Sequence, residues 1–267
     1  GTNVKLKKLD EAKSEFISIA SHQLRTPLTV IKGYISMMLE GSFGVLTSSE
    51  TDSLHKVYES NQRLINLVED LLNISRIESG RIQFNWSVVR LEDMMASVTE
   101  ELSQNAQKKK LKLEFIPPAA PLSPVKMDAD KLRQVFMNLV DNAIKYTEQG
   151  GIRIAIVEGQ GMVTVKVSDS GMGIDPDDMP NLFQKFSRGK GMSLVHTEGT
   201  GLGLYVAREM MSAHGGKIWA ASAGKGQGST FIVSLPVSKE PITPPPTIPA
   251  IPPVASQSVP KPTPAKK

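Results

Sequence analysis

Asn138, Asn142 and Lys145 recur at spacings of four and three within Asn138-Leu-Val-Asp-Asn142-Ala-Ile-Lys145-Tyr146, so on a helix they share one face. Two amide oxygens and an ammonium on one face suit Mg²⁺, which takes oxygen ligands, and the phosphates that travel with it. An ordinary polar stripe would look the same if the helix stood alone. It is followed by three glycine-rich stretches: Asp169-Ser-Gly171-Met-Gly173-Ile, Gly199-Thr200-Gly201-Leu202-Gly203-Leu, and Gly226-Gln-Gly228-Ser-Thr230-Phe. Glycines remove side chains where backbone must approach a ligand. The middle stretch is G-x-G-x-G, not the G-x-G-x-x-G of dinucleotide folds, and no strand pattern precedes it. Gly201 and Gly203 instead open a helix expected to run to about Ala213, whose first amides can receive phosphate oxygens.

His22 is a candidate nucleophile. It lies five residues after Ile17 and two before Leu24, which at about 100° per residue turns it away from the apolar stripe of its helix. A free imidazole, with an ordinary pKa of about 6.5, is mostly neutral at pH 7 and can attack phosphorus without a strong base. Alone, a surface histidine means little. Pro27, inside the same helical pattern, removes a backbone donor one turn downstream and invites a kink there. His55 reads as a helix-surface residue and His196 as a loop residue; His214, before Gly215-Gly216, reads as a helix-end residue favoured by the dipole. No metal-ligand spacing connects the four histidines.

The elements that must carry these groups fall into three parts. Over residues 1–84 the pattern is that of two amphipathic helices. The first repeats Ile17, Leu24, Ile31 and Met38 every seven residues, with Ala20, Leu28 and Ile35 beside them; Leu6 and Leu9 continue the pattern upstream. After the glycine-containing stretch 41–46, Thr47 and Glu50 form a capping box for a second helix bearing Leu54, Val57, Tyr58, Leu64, Ile65, Val68, Leu71 and Leu72, which Gly80 ends. One hairpin cannot cover its own stripes, so a dimeric four-helix bundle is the expected solution. Residues 85–238 mix strands and helices. The alternation Ile82, Phe84, Trp86 precedes a helix from about Glu92 and a strand near Leu113. A helix from Asp130 to Tyr146 follows, then a strand pair joined by a Gly-Gln-Gly turn and strands near Ile218 and Phe231. The expected class is therefore α+β, a helical hairpin followed by a two-layer α/β sandwich. Residues 239–267 are a proline-rich tail: from Pro241 onward it holds 10 of the 18 prolines and should be extended.

Composition excludes several classes. Without cysteine there are no disulfides, thiolate metal sites or cysteine nucleophiles. The net charge of +4 falls to about +1 without the tail's Lys239, Lys261, Lys266, Lys267 and Glu240, so there is no concentrated basic face for nucleic acid. The tight cluster Lys108–Lys110 ends a helix, where cations favour the dipole. No run of eighteen apolar residues appears. The first residue is Gly1 rather than Met, which points to a piece of a longer polypeptide whose upstream part could be membranous.

Phe16 through Leu28, reading FISIASHQLRTPL, resembles the phosphoacceptor box of histidine kinases. The five ordered motifs, with Phe183 to Arg188 between the first two glycine stretches, resemble the N, G1, F, G2 and G3 boxes of their Bergerat-type (GHKL) ATP-binding domain. The resemblance covers about Leu9 to Val237. It implies autophosphorylation of His22 by ATP and Mg²⁺, homodimerisation through the hairpin, and transfer to a response-regulator receiver domain. It further implies that Asp169 reads the adenine amino group, with Gly171 and Gly173 beside it. Asn142 would hold Mg²⁺, Asn138 and Lys145 approach the phosphates, and Tyr146 line the pocket. Gly199, Thr200, Gly201, Leu202, Gly203 and Thr230 belong to the nucleotide-binding set. Residues 179–198 would form a lid, with Gly189 and Gly191 as hinges and Arg188 reaching the transferring phosphate. Thr26 takes the position that orients water in the family's phosphatase reaction. The implied location is a cytoplasmic domain of an inner-membrane sensor kinase. One residue departs from the pattern: most members place Glu or Asp after the histidine, whereas this chain has Gln23. A glutamine oxygen accepts a hydrogen bond but not a proton. Two rival readings follow, a nucleotide-binding scaffold with weak or no kinase activity and an ATP-hydrolysing relative. The hydrolases carry a glutamate base where this chain has Asn138, and lack the phosphoacceptor helix.

Overall fold

The structure is a computed structural model describing residues 2–187 and 201–242, the side chains of residues 2–11, 13 and 14 excepted. Helices α1 (Thr2–Leu39) and α2 (Ser48–Glu78) pair as a hairpin. Its turn is closed by the capping box: Thr47 Oγ1 accepts the Glu50 N–H at 3.3 Å, and Glu50 Oε2 accepts the Thr47 N–H at 2.8 Å. Helix α1 runs through Pro27, and beside it the buried Asn61 of α2 donates Nδ2 to the Leu28 carbonyl at 2.9 Å.

Within the hairpin, α1 buries Ser21 and Ile35 and half-buries Leu28, a row seven residues apart; α2 buries Asn61, Val68 and Leu72. The expected apolar stripe is covered unevenly, its Leu28 and Ile35 side more than its centre. Leu24 and Ile31 stay 52% and 44% exposed, alongside Phe16, Val57 and Leu64. Ile17 and Met38, at the two ends of the same row as Leu24 and Ile31, are half-buried.

The remainder comprises β1 (Trp86–Val89), α3 (Leu91–Lys108), β2 (Lys112–Ile116), β3 (Val125–Asp128), α4 (Ala129–Lys145), β4 (Gly151–Gly159), β5 (Met162–Asp169), α5 (Gly203–Ala213), β6 (Lys217–Ala221) and β7 (Ser229–Pro236). Five strands form a mixed sheet in the order β2-β4-β5-β7-β6, with β2 parallel to β4 and the other pairs antiparallel. Alternation sends Ile152, Ile154, Ile156, Val163, Val165, Val167, Phe231, Val233 and Leu235 to one face, where they form a buried core with Leu91, Met95, Leu132, Phe136, Leu139 and Met211 from the helices. A separate antiparallel pair, β1 with β3, closes one end. The sequence alternation beginning at Ile82 becomes a strand only from Trp86, because β3 is four residues long and offers no partner earlier. Ile82 and Phe84 nevertheless pack against the core.

The link between hairpin and sheet is latched around Asp128. Its Oδ2 accepts the Asn85 N–H at 2.9 Å and the Lys131 ammonium at 2.7 Å, while its own N–H donates to His214 Nε2 at 3.0 Å. His214 Nδ1 donates to the Met210 carbonyl at 2.7 Å, and the ring meets Phe84 and Trp86 at centroid distances of 5.1 and 4.9 Å. The dipole role expected of a charged His214 gives way to burial: with Nε2 accepting, the ring is neutral. Burial holds its pKa below the ordinary value, outweighing the Met210 carbonyl and the Asp128 charge. Burial would raise the Asp128 pKa, but Lys131 and the two N–H donors bring it below the ordinary carboxylate value.

Both shifts act in the same direction on stability. A histidine with a lowered folded pKa contributes fully above its ordinary value of about 6.5 and loses that contribution as pH falls below it; the carboxylate loses its own only at lower pH, below about 3.8. The thermal midpoint is therefore expected to fall between pH 7 and pH 5, and His214→Gln, which keeps one acceptor without titrating, flattens that slope. Circular-dichroism melts at several pH values check this; an equal slope in both proteins contradicts it.

Candidate active site

Helix α4 places the amide face. Asp128, its N-cap, accepts the Lys131 N–H at 3.1 Å and starts the helix, and a buried stripe from Leu132 to Ile144 fixes its rotation over the sheet. The opposite side carries half-buried Asn138, Asn142 and Lys145. Asn142 Nδ2 donates to Asn138 Oδ1 at 3.3 Å, which leaves the amide oxygen of Asn142 outside that bond. Lys145 Nζ stands 5.7 Å from the ring centroid of Tyr146.

Helix α5 meets this face end-on. A Cβ built on Gly203 would lie 2.8 Å from Asn138 Nδ2 and 3.1 Å from its Oδ1, so the first residue of α5 is pressed against Asn138. The N-cap position is Leu202, whose side chain has no group to cap the first amides of α5. Gly201, with φ of 69°, packs against the backbone of Phe186 and Ser187. Leu202 is fully buried. Phe183 stacks edge-on to Phe231 at 6.5 Å, and Lys185 pairs with Glu78 at the end of α2 while lying 5.0 Å over the Tyr205 ring. The hydrogen bond that Lys185 donates to Glu78 raises the Lys185 pKa, more than burial lowers it. Arg188, Gly189, Gly191, His196, Gly199 and Thr200 lie outside the described residues.

Asp169 ends β5 at the far side of the cluster. Its Oδ1 accepts the N–H groups of Gly171 at 2.8 Å and Ser229 at 3.2 Å, and its Oδ2 accepts the Ser229 hydroxyl. The first and third glycine stretches are laced together here: Gly228 N donates to Gly171 O at 3.1 Å, Gly226 N to Met172 O at 2.7 Å, and Ile174 N to Ser222 Oγ at 3.0 Å. Met172 N donates to Tyr146 O at 3.1 Å, which joins this loop pair to the end of α4.

Thr230, assigned to the nucleotide set, faces the other way. Its hydroxyl donates to Ser168 Oγ at 2.9 Å on the face of the sheet opposite the helices, while Ser229 takes the place beside Asp169. Ser229, bonded to Asp169, and Ser222, bonded to Ile174 N and Gly228 O, are positions in these loops that motif reading passed over. Strand alternation could have found the first, since Ser229 shares its face with the buried Phe231.

His22 is exposed on α1, as are Gln23 and Thr26, while Ser21 beside them is buried. Arg25 Nη2 lies 3.6 Å from Glu69 Oε1 across the hairpin.

An amide oxygen, the amides of a helix start and nearby ammonium groups suit an oxygen-seeking cation bound with phosphates. Among the described residues no three His, Asp or Glu side chains converge on one point, so such a cation would rest on Asn142 and on the phosphates. Sequence models of two families match in tandem: the His Kinase A (phospho-acceptor) domain over residues 12–80, and the histidine kinase-, DNA gyrase B- and HSP90-like ATPase over residues 127–239. The chain belongs to the histidine kinases. Among relatives within this family, it is 34% identical over 247 residues to sensor histidine kinase WalK of Bacillus subtilis, covering 87% of this chain and 38% of that protein. It is 33% identical over 245 residues to the circadian input-output histidine kinase CikA of Synechococcus elongatus, covering 90% and 32%. The chain thus spans about a third of the length of these curated relatives. Full-length ShkA in complex with AMPPNP superposes with a TM-score of 0.68 at 29% identity, covering 84% of this chain and 46% of that one. The histidine kinase AdeS of Acinetobacter baumannii gives 0.55 at 26% identity, covering 81% and 98%.

Proposed function

We propose that this histidine kinase core transfers the γ-phosphoryl group of ATP to His22 and passes it to an aspartate of a response-regulator receiver domain. The observation that carries the reading is the pairing of two sites in one chain: an exposed histidine on a long helix, and an amide face closed by the start of α5 and by Asp169.

In this reading Asp169 accepts from the adenine amino group at one end, and the first amides of α5 with Asn138 and Lys145 hold the phosphates at the other. Mg²⁺, when bound at Asn142, neutralises phosphate charge. A ring nitrogen of His22 attacks the γ-phosphorus as the bond to the bridging oxygen breaks, and ADP leaves with the bonding electrons; the chain contributes positioning and charge more than covalent chemistry. Gln23 can hold the other ring N–H by its amide oxygen but cannot take the proton as positive charge builds on the ring. Thr26, one turn on, stands where a hydroxyl would orient water in the reverse, phosphatase direction.

The exposed apolar row of Phe16, Leu24, Ile31, Val57 and Leu64 is best satisfied by a second copy of the hairpin, giving a four-helix bundle. Among the described residues no helix is long and apolar enough to cross a membrane; the reading places this core as the cytoplasmic part of an inner-membrane sensor kinase.

The test is direct. ATP labelled at the γ position labels the chain and ATP labelled at the α position does not; label from neither, with ATP still bound, favours the scaffold reading. Gln23→Glu supplies a proton acceptor and is expected to raise the initial labelling rate about tenfold or more; an unchanged rate shows that position 23 takes no part in the transfer.

A further inference from the structure

The cluster Lys108–Lys110 reads from sequence as cations serving the end of their own helix. The structure assigns the central one elsewhere. Helix α3 finishes itself without side chains: Leu111 N donates to Ala106 O at 2.9 Å and Lys110 N to Gln107 O at 2.9 Å, with Lys110 in the left-handed region at φ 58°. That turn frees the ammonium of Lys109, which reaches across to α4. Its Nζ donates to the carbonyls of Ile144 at 2.9 Å, Lys145 at 2.9 Å and Thr147 at 3.3 Å. An ammonium has three donors, and these three bonds use them all.

The carbonyls are the ones that the C-terminus of α4 leaves without helical partners, where a cation is also favoured by the dipole. Their position matters more than their number. Residues 144–147 sit between the two ends of the proposed nucleotide site. Tyr146 N bonds back to Asn142 O at 3.0 Å, and Tyr146 O accepts from Met172 N in the loop that follows Asp169. Thr147 is fully buried, its hydroxyl bonded to Ala143 O at 2.7 Å. A Cβ on Gly171 would lie 2.3 Å from Tyr146 O and 2.9 Å from Thr147 Oγ1. The segment gripped by Lys109 is therefore the wall shared by the amide face and the Asp169 loop.

We propose that Lys109 is a positioning residue for the nucleotide: by gripping residues 144–147 it sets the separation of Asn142 from Asp169, and with it the fit of ATP. The inference rests on the functional reading above. A grip that only stabilised the helix end would change the melting midpoint and nothing else. A grip that sets the distance between two binding groups changes affinity in a chain that is fully folded.

The test uses the full chain and four variants: Lys109→Met, which keeps the stem and removes the donors; Lys109→Gln, which keeps one amide donor group; Lys109→Arg, which restores several donors; and Lys108→Met, which removes a charge from the same cluster. Calorimetric titration with ATP and Mg²⁺ is done well below each melting midpoint, and labelling rates are read at saturating ATP. Lys109→Met is expected to raise Kd about tenfold, with the saturated labelling rate within about threefold of the parent. Lys109→Gln falls between, Lys109→Arg recovers most of the affinity, and Lys108→Met keeps the parental Kd. Parental affinity in folded Lys109→Met, or in Lys109→Gln should the methionine variant not fold, overturns the proposal. Equal losses in Lys108→Met and Lys109→Met also overturn it, since bulk charge would then account for both. A parent that binds no ATP overturns the functional reading itself, and is recognised because every variant is equally silent.

Discussion

Asp169→Asn is expected to weaken ATP binding about a hundredfold while moving the melting midpoint by only a few degrees. The carboxylate has two tasks that this substitution separates. Structurally it accepts from Gly171 N, Ser229 N and the Ser229 hydroxyl. An asparagine keeps an oxygen for the two N–H groups, and its NH₂ can donate to a Ser229 hydroxyl that has rotated to accept. Toward a ligand the change is a reversal, since an acceptor edge becomes in part a donor edge. A purine whose amino group is its recognition handle loses that bond and meets an unmatched donor. Inosine triphosphate presents an oxygen in place of the amino group. The preference of the parent for ATP over inosine triphosphate should therefore shrink or invert in Asp169→Asn. Titration with both nucleotides checks this; an unchanged ratio means that Asp169 does not read the base.

Gly173→Ala is expected to disrupt the site more completely. The residue has φ of 68°, and an added Cβ would stand 2.0 Å from Gly224 O and 3.0 Å from its carbonyl carbon. Two penalties add: a left-handed backbone that L side chains rarely adopt, and a clash with main chain that cannot rotate away. Relief requires the two glycine loops to part, which breaks the bonds from Gly226 N to Met172 O and from Ile174 N to Ser222 Oγ. A cost of about 3–5 kcal/mol follows, or a midpoint lower by about 10 °C, with ATP binding lost even below it. Gly159→Ala is the control, because a Cβ there meets nothing within 4 Å and its φ is not positive. Similar melts for the two variants contradict the account of how the loops are joined.

What the sequence made legible was local. Thr47 and Glu50 announce a capping box three residues wide, and the structure contains it. Gly159-Gln160-Gly161 announces a tight turn, and Gln160 and Gly161 take positive φ between β4 and β5. Asn138 and Asn142 announce a shared helix face, and their side chains touch. What the sequence hid depends on partners distant along the chain. Strand β3 is four residues long after a proline-rich stretch, and exists because β1 lies 39 positions earlier and pairs with it. The apolar rows of α1 look alike in sequence, and only the folded hairpin tells them apart, burying Ser21 and Ile35 while Leu24 and Ile31 stay exposed. His214 reads as a helix-end cation until Asp128, 86 positions away, is brought to its ring. Lys109 and its acceptors are 35 to 38 residues apart. Ser229 was within reach of a period-two argument, but motif spacing drew attention to its neighbour.

The central claim, that His22 is the phosphoacceptor of a site built on Asn142, rests most directly on one measurement. The chain, His22→Ala and Asn142→Ala are incubated with Mg²⁺ and γ-labelled ATP, and protein-bound label is tested for stability in acid and in alkali. A phosphoramidate is labile in acid and survives alkali. The account predicts such label on the parent and on neither variant, with His22→Ala still binding ATP. Label of that kind persisting on His22→Ala, or ADP released at the parental rate with no label on any protein, would contradict it.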